Sequence, residues 1–350
     1  MRLLLLASPA LLALATALPA QEGSPQPAPE LARYKATLGR WEGRGTVVMM
    51  PGADESPWTA VVTNKPILNG HFVEHLMKAD IGGGMIYEMR NLFGWDPETG
   101  RPVGVMLTNM DGGTALESRW VGARTQVILH SGIDGDLGVP YADHWVTKYE
   151  DDGFTMTIHR ALGDGAPFLH ISGQFRRVKD GGGQAGAAEA SMAFGPPPPM
   201  MQKLAPLVGD YAVSGKLSPG PGAPDIRIVG HETVAAAMGN QVLSLHTTGG
   251  ADGAPPTYEG QSYLYWNAAD KCYKSFSMAN SGEFHCQDAN WDGDEALVFI
   301  SAGRMGGVPT VIRGILEVDA ERGITGIETQ SLAGMGPLAK VFEARYSREE

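Results

Sequence analysis

The chain repeats itself. Leu38-Gly39-Arg40-Trp41 is answered by Val208-Gly209-Asp210-Tyr211, Tyr87-Glu88 by Tyr258-Glu259, and Trp95-Asp96 by Trp266-Asn267. Asn109 is answered by Asn280, Trp120 by Trp291, Gly138-Val139-Pro140 by Gly307-Val308-Pro309, and Arg176 by Arg345. The matches keep one order, and their separations stay between 169 and 171 residues. One match of this kind would be chance. A series in order over nearly the whole length marks a duplication, with small insertions confined to loops.

Each half must then complete its own core. The chain divides into residues 1–20, a lead-in at 21–30, a first copy at 31–179, a linker at 180–202 and a second copy at 203–348. The linker holds Gly181-Gly182-Gly183 and Pro196-Pro197-Pro198-Pro199, a mixture that buries little. The lead-in reads as disordered. A content of 43% hydrophobic and 19% charged residues is globular, and 47 glycines with 24 prolines suit short strands joined by tight turns.

The first copy reads as strands at Thr46–Met50, Trp58–Asn64, His71–Ala79, Met85–Trp95 and Val103–Asn109. Ala115–Trp120, Gln126–Ser131, Ala142–Glu150, Phe154–Arg160 and Leu169–Val178 follow. In the hairpin turning at Asp151-Asp152-Gly153, Trp145 and Tyr149 share a face with Phe154, Met156 and Ile158. His144, Lys148 and His159 take the polar face. Short strands at this spacing predict an all-β fold: two tandem antiparallel β-barrels, each opened by a short N-terminal helix.

Arg2 followed by the apolar stretch Leu3–Leu18, with small residues at Ala15, Ala17 and Ala20, reads as a signal peptide. A periplasmic or secreted location is expected, with no membrane partner after cleavage. In an oxidising compartment the two cysteines, Cys272 and Cys286, are expected to join as a disulfide, with two free buried thiols as the alternative. A net charge of −12 disfavours nucleic acid as a partner.

Several first-copy motifs resemble the bacterial family called domain of unknown function 1579, a calycin (lipocalin-like) group. They are Leu38-Gly39-Arg40-Trp41-Glu42-Gly43, Ile67-Leu68-Asn69-Gly70-His71-Phe72, Tyr87-Glu88, Gly94-Trp95-Asp96, and Asn109-Met110-Asp111-Gly112-Gly113-Thr114. The second copy follows them more loosely. The resemblance implies a lipocalin-like barrel and no particular chemistry. Within it, Trp41 with Arg176 looks like a lipocalin closure, an arginine packed across the indole where the barrel ends meet. Tyr211 with Arg345 would repeat the device.

No catalytic signature emerges. His231-Glu232 lacks the histidine of a zinc-protease helix, and Gly260-Gln261-Ser262 lacks the closing glycine of a nucleophile elbow. His71 and His75, four apart on a strand, stand about 13 Å apart, too far to share one ion. The methionines form no thioether cluster, and no histidine recurs between the copies. No metal and no cofactor are expected. His71, His75, Glu88, Asn109 and Trp120 remain as candidate pocket residues. Three functions follow in order: an exported protein holding a small, mostly apolar ligand in a barrel; a structural or interaction module with filled barrels; a hydrolase-like or haem-binding activity in copy one. An enzyme is the less favoured reading.

Overall fold

The computed structural model describes residues 26–82, 84–96, 99–134, 137–178, 197–218, 224–305, 308–333 and 339–349. The signal-peptide segment and most of the linker lie outside the described residues. The first half carries β1 (Gly39–Val47), β2 (Ser56–Ile67), β3 (Phe72–Asp80), β4 (Ile86–Asp96), β5 (Arg101–Thr108), β6 (Gly112–Ala115) and β7 (Glu117–Val121). It continues with β8 (Thr125–Ile133), β9 (Pro140–Tyr149), β10 (Gly153–Leu162) and β11 (Phe168–Arg177). All neighbours are antiparallel, in the order β6-β5-β4-β3-β2-β1-β11-β10-β9-β8-β7. β6 and β7 are two arms of one path interrupted at Leu116, whose N–H bonds to the Gly104 carbonyl at 2.9 Å. One arm pairs with β5 and the other with β8, so this bent strand brings the sheet round on itself.

The second half repeats the sequence of strands without the interruption. It comprises β12 (Gly209–Leu217), β13 (Ile226–Ala237), β14 (Val242–Ala251), β15 (Tyr258–Asn267) and β16 (Cys272–Ala279). Then come β17 (Phe284–Asp292), β18 (Ala296–Met305), β19 (Val308–Asp319), β20 (Gly323–Ala333) and β21 (Ala339–Arg348), in a closed barrel. Both barrels are stoppered at the end where their first strand begins. A 3-10 helix, Pro29–Thr37, covers the first; a short α-helix, Pro199–Gln202, and a 3-10 turn, Ala205–Leu207, cover the second. The first stopper begins inside the stretch read as lead-in. The second begins inside the stretch read as linker, and its Met201 is buried in the barrel core.

β1 starts seven residues earlier than the alternation predicts. Its glycines hid it. A Cβ on Gly43 would enter the ring of Phe175, and one on Gly45 would strike the Ser172 carbonyl and the Trp58 ring. Glycine here makes room for aromatic side chains from neighbouring strands. Those rings build the first core: Phe154 stacks on Phe175 at 4.2 Å, and Trp41 meets Phe154 edge-on at 5.2 Å.

The closure exists, with different arginines. Arg177, the register partner of Trp41, lies 4.1 Å over the indole and donates to the carbonyls of Leu38 (2.7 Å) and Ala36 (3.1 Å). Arg348, the register partner of Tyr211, lies 5.9 Å from its ring and donates to Val208 and Glu321 carbonyls. Arg176 and Arg345 are exposed, because strand alternation turns them outward. Arg176 lies along an outer groove of about 780 Å3 with Glu42, Arg44 and Lys78.

The expected disulfide is absent. Cys286 stands opposite Phe276, four places from Cys272 along β16. That offset is about 13 Å, whereas bridged cysteines need Cα atoms within about 7 Å. Cys272 is buried and Cys286 exposed, both as free thiols.

The barrels share a third core. Leu68, Phe72, Leu92, Val105 and Leu107 on the outside of the first pack against Met238, Val242, Tyr263, Tyr265, Phe276 and Met278 of the second. A Cβ on Gly113 would come within 2.9 Å of the Tyr265 ring, so this glycine admits the second barrel. A polar chain crosses beside it: Glu74 lies 3.4 Å from Arg90, which donates to the Tyr263 hydroxyl at 2.8 Å.

Replacing Arg177 with Ala removes the stacking and both carbonyl bonds and should cost about 1–3 kcal/mol in urea unfolding. Arg176→Ala should stay within about 0.5 kcal/mol. Thiol titration under non-reducing conditions should find Cys286 in the native protein and Cys272 on unfolding.

Candidate functional site

Strand alternation sorts the polar residues by side. In β3, Val73, Met77 and Ala79 belong to the first core, so His75 shares the inner face. Its register partners are Asn64 on β2 and Asn91 on β4. The three make a polar row across the inner wall. Asn64 Nδ2 donates to the Thr37 carbonyl at 2.7 Å; its Oδ1 and that of Asn91 are buried and have no partner among the described residues. His75 is half-buried on this inner face, so the core leaves part of its ring uncovered. Burial pushes its pKa down to about 4, leaving a neutral imidazole at neutral pH.

A second polar group lines the end away from the stopper. His130, Asp143 and Arg160 are consecutive register partners on β8, β9 and β10. Arg160 grips Asp143 with two bonds of 2.8 Å, from Nε to Oδ1 and from Nη2 to Oδ2. His130 Nε2 lies 3.2 Å from Oδ2. Burial raises the Asp143 pKa, but the bonds from Arg160 and His130 outweigh it and hold the carboxyl at about 2. The guanidinium lies 4.5 Å over the Tyr141 ring, and the His130 ring meets Trp145 edge-on at 5.4 Å. Burial also raises the pKa of Tyr87 and Tyr141, so both are neutral phenols.

The ion pair satisfies itself. Unspent hydrogen-bonding capacity remains in the Trp145 Nε1–H, His130 Nδ1 and the two asparagine oxygens. Donors and acceptors distributed over an aromatic wall suit a molecule of mixed polarity. No group of three or more His, Cys, Asp or Glu residues that could hold a metal occurs among the described residues.

The sequence candidates scatter. His75 and Trp120 face the interior; Trp120 lies near the stopper, edge-on to Tyr34 at 5.4 Å. His71 sits between the barrels, where a Cβ on Gly282 would come within 2.6 Å of its Nδ1. Glu88 lies on the outer face with Lys78 at 3.9 Å, and so cannot line the pocket. Asn109 is a clamp: its Oδ1 accepts the Glu88 N–H at 2.9 Å and its Nδ2 donates to the Ile86 carbonyl at 2.8 Å. Asn280 makes the matching bond to the Thr257 carbonyl at 3.0 Å. The asparagine recurs because both barrels need the clamp. Asp143 and Arg160 were missed although their phase was available. Asp143 shares its face with Trp145 and Tyr149, and Arg160 with Ile158 and Phe154.

The second barrel is filled near its stopper. A void of about 10 Å3 remains between Val234, Leu243, Leu264, Phe299 and Leu316, too little for a ligand. Deeper along the wall, Glu232 is fully buried. Thr247 Oγ1 donates to it at 2.8 Å, and Tyr211 and Tyr258 are its other polar neighbours. Burial raises its pKa to about 7 against that bond.

Residues 26–177 match a family described as a protein of unknown function, DUF1579. No curated protein matches the chain. Similar solved structures include Rv2717c from M. tuberculosis, at 13% identity and a TM-score of 0.34, covering 44% of this chain and 100% of that one. A DUF3598-family protein of unknown function from Nostoc punctiforme matches at 10% identity and a TM-score of 0.23, covering 92% and 100%. No helix among the described residues is long and apolar enough to cross a membrane.

Because Glu232 has its pKa raised on folding, its contribution to stability is full below the ordinary value of 4.5 and is lost as pH rises through about 7. Glu232→Gln should remove this dependence. From about pH 4 to about pH 8, wild type should lose about 3 kcal/mol of unfolding free energy relative to the variant.

Proposed function

We propose that the chain is a binding protein whose first barrel holds a small molecule of mixed polarity. The observation that carries this reading is His75. Its half-buried, neutral imidazole faces the barrel interior between two asparagines with unspent oxygens. Buried polar atoms are rarely left unbonded, which favours a polar molecule held at this wall. Polar groups at both ends of the space favour a ligand less apolar than the sequence suggested.

The second barrel serves mainly as a scaffold on this reading. It is a diverged copy of the first, as the shared strand order, the recurring asparagine clamp and the arginine-over-aromatic closure support. The closure device and the short stopper also support a lipocalin-like assignment for both. Export to the periplasm or beyond fits the apolar stretch Leu3–Leu18.

Native mass spectrometry of the purified full chain tests the proposal. Wild type should carry an added mass that is released on denaturation. His75→Phe, which fills the space, should lower the retained fraction by more than about tenfold at unchanged fold. An adduct-free wild type, or equal retention in the variant, would overturn it.

A further inference from the structure

The outer groove of the first barrel has room for a ligand. Its volume of about 780 Å3 lies in the range of small-molecule sites. Trp41, Ala60, Val62, Met77 and Ala79 belong to the core, so the residues between them point outward. On β2 these are Thr59 and Val61, whose short side chains make a floor. Glu42 and Arg44 on β1 make one wall; Lys78 and Asp80 on β3 make the other. Register sets the walls face to face. Arg44, Thr59 and Asp80 are consecutive partners, and so are Glu42, Val61 and Lys78. Each row therefore ends in opposite charges, two strand spacings or about 10 Å apart at the backbone. Arg176, the β11 partner of Glu42, adds a second guanidinium to the first wall.

The protein leaves these charges largely unpaired. Arg44, Arg176 and Asp80 make no ion pair among the described residues; Asp80 accepts only the Gly82 N–H, at 2.9 Å. Lys78 and Glu42 have loose partners, Glu88 at 3.9 Å and Arg40 at 3.7 Å. The fold does not require them either. The second barrel repeats both rows in the same register, as Ser214, Val229 and Gly250 and as Ala212, His231 and Thr248. Ser347 takes the place of Arg176. None of the five charges recurs.

We infer that this groove binds a small zwitterion, with its carboxylate at Arg44, its ammonium at Asp80 and a short hydrocarbon chain over Thr59 and Val61. The chemistry selects the class. A simple anion satisfies the arginine wall and meets Asp80 unpaired; a simple cation does the reverse. A hydrocarbon pairs with neither. A molecule with both charges bridges the walls, and the planar fork of Arg44 takes a carboxylate through two parallel bonds. Arg176 makes its wall the more basic one and so sets the orientation. The site is separate from the barrel interior and does not depend on a ligand there.

Calorimetric titration of the full chain at low, equal ionic strength tests this. The probes are ε-aminocaproate, caproate and hexylammonium, which share one chain and differ in charge. The zwitterion should bind saturably and more than about tenfold tighter than either singly charged ion. Arg44→Ala and Asp80→Ala should each erase that margin. Both positions are exposed, so the variants should melt as wild type does. Arg44→Asp combined with Asp80→Arg should restore the margin, because the ligand can turn round. No binding of the zwitterion, equal binding of all three ions, or a full margin in both single variants would overturn the assignment. His75→Phe should bind ε-aminocaproate as wild type does, which separates this site from the barrel interior.

Discussion

A barrel can hold a site only if its first and last strands meet in one register, and here an arginine laid on an aromatic ring fixes that meeting. Arg177 covers Trp41 and ties itself to two carbonyls of the approaching chain. Closure removes free sheet edges and gives the chain a defined inside. Once inside and outside are set, period-two alternation sorts every strand residue. His75, Asn91 and Asp143 face inward because the register at the seam makes their parity inward. The stoppers exploit the same junction, since Trp41 Nε1 bonds to the Thr37 carbonyl and the Tyr211 hydroxyl to the Leu207 carbonyl.

The two interiors spend the same architecture differently. Along one row the first barrel has Asn64, His75 and Asn91, where the second has the aliphatic Val234 and Leu245 and the small Ser262. It also accepts an Asp143–Arg160 pair at its far end, held in place by excellent geometry rather than by solvent. The second keeps an aliphatic plug below its stopper and concentrates its polar groups on one wall.

Much of this was legible in the sequence, for reasons that can be traced. The repeated pattern shows because Trp, Gly, Tyr and Asn sit where a barrel needs bulk, close approach or a clamp. The β9–β10 hairpin shows because its alternation is clean. The closing arginines escaped because Arg176 and Arg177 are adjacent. A constant offset of 171 pairs Arg177 with Arg348, and Phe175 facing inward already makes Arg177 face inward. The cysteine pairing failed on register, which spacing along the chain cannot supply. The contact between barrels left a fainter mark. Asn91-Leu92-Phe93 breaks the alternation because both faces of β4 are covered, one by the barrel core and one by the other barrel.

The shared third core has a further consequence. Tyr263 from one barrel is the hydroxyl partner of Arg90 in the other, and Gly113 is shaped to Tyr265. A half cut out at the linker would present a row of apolar side chains to water and leave Arg90 with Glu74 but without the Tyr263 hydroxyl. The chain has two barrels, but the core they share makes the pair, and not either half, the unit that must fold.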